Sequence, residues 1–374
     1  MRGDREDTVI EGMVIEGIVV AIAPDLAEVY ADGQTYLCAL RGRMRRGPSR
    51  ESTAEAGGRR PAGRGGPRAS ATRAVAGSRP GNHQRGGLRT PPAGATAPSP
   101  IAPIRIAPGD RVRLTPLAVT AGVNGVVEAI LPRRGALTRS AGETGGGQVL
   151  LANLDHAVLA FAVRAPAPHF GMLDRYLALC EHASVEATIC LNKADLGVPS
   201  EVEAAADLYA SLGYRVLRTS VVSGEHLAEL RDLLRGRVSL LTGPSGVGKS
   251  TIANLLIPGA GQRTSAVSEV TGKGRHTTTG VRLLPLPEGG WLADSAGIRE
   301  LALWNVPPEE LPRCFPELRP FIGQCAYVDC EHGPDEEGCA LRGALASGAI
   351  APDRFASFER LLDEVREEEA ALVY

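Results

Sequence analysis

One stretch of nine residues, Gly243-Pro-Ser-Gly-Val-Gly-Lys-Ser-Thr251, limits what this chain can fold into more than any other. It fits G-x-x-x-x-G-K-[ST], follows the apolar run Val238-Ser-Leu-Leu-Thr242, and opens a segment, 249–256, that reads as a helix. Strand, glycine-rich turn and helix in that order make the phosphate-holding corner of an α/β sheet. The glycines let backbone N–H groups curl around an anion, and the helix N-terminus adds partial positive charge. Gly243, Pro244, Ser245, Gly246, Val247 and Gly248 form the cradle; Lys249 reaches the β- and γ-phosphates; the Ser250 hydroxyl, beside Thr251, is a ligand for Mg²⁺. The flanking sequence agrees. Strand-like runs at 156–163, 187–191, 214–220 and 237–242 alternate with helical ones at 172–182, 200–212 and 227–234, which predicts a mostly parallel sheet covered on both faces.

The base is read elsewhere. Asn192-Lys193-Ala194-Asp195 ends the strand 187–191, at the sheet edge where ligands bind in open α/β folds. The Asp195 carboxylate can accept both the N1–H and the exocyclic amine of guanine, a donor pair adenine lacks, so GTP/GDP is expected rather than ATP. Thr219-Ser220 supplies the following guanine-contact loop, with Ser220 as its contact residue. Asp294-Ser-Ala-Gly297, after the strand-like 290–293, matches D-x-x-G, in which the Asp bonds the Mg²⁺ shell and the Gly N–H meets the γ-phosphate. Gly274-Arg-His-Thr-Thr-Thr279 offers hydroxyls for the same shell; Thr278 is taken as the ligand, with Thr277 and Thr279 open. An ordinary GTPase runs phosphate loop, switch Thr, D-x-x-G, N-K-x-D. Here the cyclic order is kept but the chain is cut after D-x-x-G, so the second switch feeds directly into the C-terminal segment.

That segment carries Cys325-x₄-Cys330-x-His332-x₆-Cys339, three thiolates and an imidazole suited to one structural zinc. Cys314 lies close enough in sequence to replace one of them. An acidic amphipathic helix over 353–372 closes the chain, and its acid-rich side reads as a solvated face. At the other end, 13–23, 26–30, 34–40, 110–116 and 125–131, with a further signal near Leu137, predict the strands of a small β-barrel. Residues 44–103 interrupt it with Arg, Gly, Pro, Ala and Ser, a composition that buries too little apolar surface to offset its ordering entropy. From Met44 to Ile104 there are eleven arginines against two acids, a local +9, so the rest of a chain of net charge −2 carries −11. Arg64-Gly-Gly66 and Arg85-Gly-Gly87 fit a disordered RNA-binding arm, but a loosely constrained linker is preferred. No apolar run reaches the roughly 18–20 residues of a membrane span, and the charged start lacks a secretory h-region. Seven cysteines without an export signal indicate a cytoplasmic protein with no membrane partner, and a monomer is expected.

Together the permuted motif order, Gly274-Arg-His-Thr-Thr-Thr279 and C-x₄-C-x-H resemble the RsgA/YjeQ family of circularly permuted bacterial GTPases over nearly the whole chain. The resemblance implies an OB-fold barrel (1–150, with the insertion at 44–103), a permuted GTPase domain (151–303) and a zinc-binding helical module (304–374). It further implies GTP hydrolysis stimulated by the small ribosomal subunit, binding to that subunit and its rRNA, and a part in its late maturation. The family's nucleotide residues carry onto Asn192, Lys193, Asp195 and the Gly243 to Thr251 loop, and its zinc ligands onto Cys325, Cys330, His332 and Cys339. Three departures stand out. The last zinc-ligand spacing is one residue longer than the family's, and Ser295 and Ala296 replace the usual Thr-Pro inside D-x-x-G. Ile298 is apolar where many GTPases place the Gln that orients water, so slow intrinsic hydrolysis is expected, with His276 a candidate substitute. Two other readings stay open: a GTP-gated RNA-binding switch with negligible turnover, and an ATP-using P-loop kinase or assembly ATPase.

Overall fold

Alternation of apolar and polar residues sets the first part of the fold. In β1 (Ile15–Ile22), β2 (Leu26–Ala31) and β3 (Gln34–Leu40), every second side chain turns inward: Val19, Val29 and Cys38 are fully buried. β4 (Arg111–Thr120) and β5 (Val123–Ile130) complete a closed barrel in the order β1-β2-β3-β5-β4, antiparallel except for the parallel β3–β5 pair. This is the five-strand arrangement of an OB-type barrel. The β2–β3 turn uses Asp32 and Gly33, both with positive φ, as a two-residue hairpin requires. β4 continues past Pro116, where its pairing with β5 becomes irregular; a proline is tolerated there because it need not donate to the ladder. The computed structural model describes residues 13–23, 25–41, 105–120, 122–139, 148–258, 281–293 and 306–373, all in one compact unit. The Arg-rich insertion 44–103 lies outside them.

A hairpin of β6 (Ala136–Arg139) and β7 (Gln148–Ala152) leads into a six-stranded sheet. Its strands are β8 (His156–Ala162), β9 (Glu186–Asn192), β10 (Arg215–Arg218), β11 (Val238–Thr242), β12 (Leu283–Pro285) and β13 (Trp291–Ala293), in the order β10-β9-β8-β11-β13-β12. All neighbours run parallel except the edge strand β12. Every residue of β8 is buried, because both faces are covered. Ala157, Leu159 and Phe161 meet α1 (Phe170–His182) and α2 (Ser200–Ser211) through Leu173, Leu177 and Tyr209. Val158, Ala160 and Ala162 meet α3 (Leu227–Leu234) and α4 (Lys249–Leu256) through Leu230 and Ile252.

His156, at the start of β8, is fully buried; its Nε2 lies 2.9 Å from Thr188 Oγ1 and its Nδ1 has no hydrogen-bond partner. Burial pushes its pKa down to about 4, against a smaller upward pull from Glu186. The folded state therefore binds fewer protons than the unfolded chain below about pH 6.5, and stability falls with pH from there toward pH 4. Between pH 7 and pH 5 this one group should cost about 2 kcal/mol. Urea unfolding of wild type and His156→Leu at both pH values checks it: the drop should shrink by that amount in the variant, and equal drops would refute the assignment.

The C-terminal part packs Leu311 and Phe315 against α5 (Ala340–Ala346) and α6 (Pro352–Val373). Phe355, Phe358, Leu361, Leu362 and Val365 recur at helical spacing on the buried side of α6. The same helix docks on α1. Arg354, only 3% exposed, donates to both Glu317 oxygens (2.6 and 3.2 Å) and to Asp174, and lies over the rings of Phe315 (4.7 Å) and Tyr209 (5.5 Å). Tyr209 in turn donates to Asp174 at 2.6 Å. A buried ion network is stable only when fully paired, and this one has two carboxylates and a phenol around one guanidinium. Arg175 pairs with Glu364 along the same contact. The helix expected as a solvated acidic face is thus fastened to the α/β body on its other side. Among the described residues no helix is long and apolar enough to cross a membrane.

Candidate functional site

The turn between β11 and α4 is built around glycines that nothing else can replace. Gly243 has φ +143°, and a Cβ on it would lie 2.0 Å from the Ala160 carbonyl oxygen of β8. Gly248 has φ +98°, and a Cβ there would meet Asn192 Nδ2 at 2.5 Å. Val247 is buried against the α3/α4 side of the sheet, so it anchors the loop by its side chain and offers the site only backbone. Lys249 Nζ donates to the Pro244 carbonyl at 2.6 Å, folding its stem over the loop. Ser245, Gly246, Ser250 and Thr251 are exposed, and no side chain caps the start of α4. Its first N–H groups are therefore open to an anion.

The strand end carrying N-K-x-D meets this loop directly. Asn192, 2% exposed at the tip of β9, donates from Nδ2 to the Val247 carbonyl at 2.8 Å and accepts from Thr219 Oγ1 at 3.3 Å. Lys193, with φ +63°, sends Nζ to the Gly246 carbonyl at 2.7 Å and also to the Ala165 carbonyl. Both residues are fasteners, tying the loop after β8, the phosphate loop and the β9 end together. Asp195 differs: it is exposed, on the single 3-10 turn Ala194–Leu196. Its Oδ1 accepts from Ser220 Oγ at 2.6 Å, while Ser220 Oγ accepts from the N–H groups of Val222 and Ser223, each at 3.1 Å. One hydroxyl thus holds the carboxylate and shapes the neighbouring loop. The arrangement presents a fixed anion to base-edge donors a short way from an N–H-lined cradle. Ala165 is a contact of this corner that residue type does not single out, because a main-chain acceptor leaves no signal in the sequence.

His276, Thr277, Thr278, Thr279, Asp294, Gly297 and Ile298 lie outside the described residues, and their assignments rest on sequence. What is described is the hairpin between the two segments. β12 and β13 pair Leu283 with Ala293, so the residues that follow the first segment and precede the second emerge at the same end.

In the C-terminal part, Cys325, Cys330, His332 and Cys339 bring four ligand atoms within 4.8 Å of one another. His332 Nδ1 lies 3.7, 3.5 and 3.5 Å from the three sulfurs in turn. A tetrahedron with Zn–S of about 2.3 Å and Zn–N of about 2.0 Å has an S···N edge of about 3.5 Å. Burial holds the His332 imidazole below its usual pKa, in the neutral form that offers a lone pair. The Ala340 N–H at the start of α5 reaches Cys325 Sγ at 3.4 Å. Arg342 donates to the Gly333 carbonyl and to Glu359, bracing the loop that carries His332. The four together could hold a metal ion, and Cys339 stands with the other three despite the longer spacing. Cys314 does not: its thiol is buried against the Glu310 carbonyl, 3.6 Å away, and burial pushes its pKa up to about 12. Cys38 and Cys190 are likewise core thiols.

The sequence model of the RsgA GTPase family matches residues 130–304. The small ribosomal subunit biogenesis GTPase RsgA of Gemmatimonas aurantiaca is 44% identical over 265 residues, covering 70% of this chain and 85% of that protein. The protein of the same name from Sodalis glossinidius is 44% identical over 249 residues, 65% of this chain and 71% of its own. Among solved structures, YjeQ from Thermotoga maritima superposes with a TM-score of 0.63 at 26% identity, covering 94% of this chain and 99% of that one. YloQ, described as a circularly permuted GTPase, shares the fold with a TM-score of 0.61 at 21% identity over 98% of both chains. With a relative 44% identical over 70% of this chain and 85% of its own length, the chain belongs to the RsgA GTPase family.

Proposed function

We propose that this protein hydrolyses GTP on the small ribosomal subunit and acts in that subunit's late maturation, with turnover stimulated by the subunit. The observation that carries the nucleotide half is the corner itself: Asn192 and Lys193 are hydrogen-bonded to the backbone of the loop that holds Lys249, and Asp195 is left facing outward. The subunit half is supported by the relatives, which are named small ribosomal subunit biogenesis GTPases.

In this reading the amides of Gly243 to Gly248 and the start of α4 hold the phosphates. Lys249 leaves the Pro244 carbonyl to neutralise charge developing between the β- and γ-phosphates. Asp195, fixed by Ser220, selects guanine. The exposed Ser250 hydroxyl on the first turn of α4 fits a Mg²⁺ ligand, and Thr278, Asp294 and Gly297 would complete the γ-phosphate side, with His276 a candidate for orienting water. Magnesium, when bound, would supply charge neutralisation at the phosphates. Zinc in the Cys₃His set would cross-link a module whose loops between Cys325 and Cys339 contribute few large core side chains. The protein works as a cytoplasmic monomer, with a barrel to residue 150, a GTPase domain at 151–303 and a zinc module at 304–374. Displacement of a fluorescent guanine nucleotide tests the core of the reading. GTP and GDP should compete at low concentration and ATP should not; equal competition by ATP would move the protein to the kinase or ATPase class.

A further inference from the structure

The barrel is not a tethered accessory. Its strands β1 and β2 show two faces: Val19, Val29 and Ala31 fill the barrel, while Ile18, Val20 and Tyr30 turn outward and join the core of the α/β sheet beside Val281, Leu283 and Ala293. The elements they meet are the last two strands of that sheet. β12 is the edge strand of the sheet, and β1 of the barrel packs beside it. Two contacts pin the hairpin. Arg282, one residue before β12, makes a two-point ion pair with Glu28 of β2, Nη1 to Oε1 at 3.2 Å and Nη2 to Oε2 at 2.5 Å, with 28% of each side chain exposed. Trp291, at the start of β13, packs edge-on against Tyr30 of β2, ring centroids 5.0 Å apart.

We infer that Glu28 and Tyr30 of the barrel, with Arg282 and Trp291 of the hairpin, are positioning residues through which a load on the barrel reaches the hydrolytic machinery; this rests on the proposed subunit-stimulated GTPase reading. The hairpin is the mechanical link because of where its ends lie. β13 runs beside β11 with Ala293 paired to Leu240, so its C-terminal end points toward the turn that begins at Gly243. In sequence, Ala293 is followed at once by Asp294, and Arg282 is three residues beyond Thr279. A shift of β2 by a fraction of an ångström is passed on because packed elements move as units rather than deforming. A bidentate Arg–carboxylate pair adds direction, since it resists sliding as well as separation. The hydrogen bonds, ion pair and ring contact described for the four residues join barrel to hairpin and none reaches the phosphate loop, so basal turnover is expected to be independent of them.

The test compares wild type, Arg282→Gln, Glu28→Gln and the double charge swap Glu28→Arg/Arg282→Glu, measuring kcat and KM for GTP with and without small ribosomal subunits. Subunit binding is followed by co-sedimentation. In either single variant the subunit-stimulated kcat should fall roughly threefold to thirtyfold. Basal kcat, KM and co-sedimentation should change less than about twofold, and the swap should recover most of the stimulation. Wild-type stimulation in both single variants would overturn the inference, and so would a loss that appears only together with lost subunit binding. A wild type that subunits do not stimulate would instead remove the proposed function, and the relay with it.

Discussion

Lys249→Ala should leave a folded protein whose turnover of saturating GTP falls at least about a hundredfold. The side chain is only partly buried and bonds the Pro244 carbonyl of its own loop, while Ile252 and Leu256 keep α4 fixed in the core. Its removal therefore takes away a cation at the phosphates and little packing. Because charge on the transferring phosphoryl group is spread over oxygens that protein and metal must neutralise, the loss should fall on kcat more than on KM. Steady-state phosphate release beside a thermal melt checks this. A melting temperature close to wild type with collapsed turnover is the expected pair; undiminished turnover would remove Lys249 from the reaction.

Asp195→Asn should weaken GTP binding by about two to three orders of magnitude, because two hydrogen bonds to a carboxylate are lost and an amide donor faces the guanine donors. The substitution keeps the shape of the site: Ser220 Oγ can still donate to the Asn oxygen, so the loop through Val222 and Ser223 stays closed. Specificity should therefore move rather than vanish. A base carrying an oxygen where guanine carries its exocyclic amine suits an amide, so xanthosine triphosphate should gain what GTP loses. Competitive titration with the three nucleotides measures it, and unchanged preference for GTP would mean that Asp195 does not read the base.

Much of this was legible in the sequence because the chemistry demands residue types at fixed spacing. The glycines of the phosphate loop, the N-K-x-D tetrad and the Cys₃His set each satisfy a backbone or donor-set requirement that few other residues meet. Alternation in β1 to β3 and the unbroken apolar run of β8 gave the sheet classes for the same kind of reason. What escaped was whatever depends on tertiary partners. β12 is three residues, Leu283–Pro285, too short to show a period and ending in a proline that an edge strand tolerates. β7 was hidden in the same way beside a glycine-rich stretch. The charge on Arg354 gave no hint that it is buried between α6, α1 and Phe315, because a paired ion in a core looks like a surface one in sequence. Nothing in the sequence of the strand 26–30 marks Glu28 and Tyr30 as the residues that meet the hairpin. Cys314, offered as a spare ligand by proximity in sequence, is turned away into the core.

The most direct test of the central claim is phosphate release from GTP by the purified protein alone, with small ribosomal subunits, and with large ones. The account predicts slow basal release, strong stimulation by small subunits and none by large, with the stimulated rate lost in Lys249→Ala. Slow release that neither subunit changes would contradict it, leaving a GTP-gated switch without useful turnover.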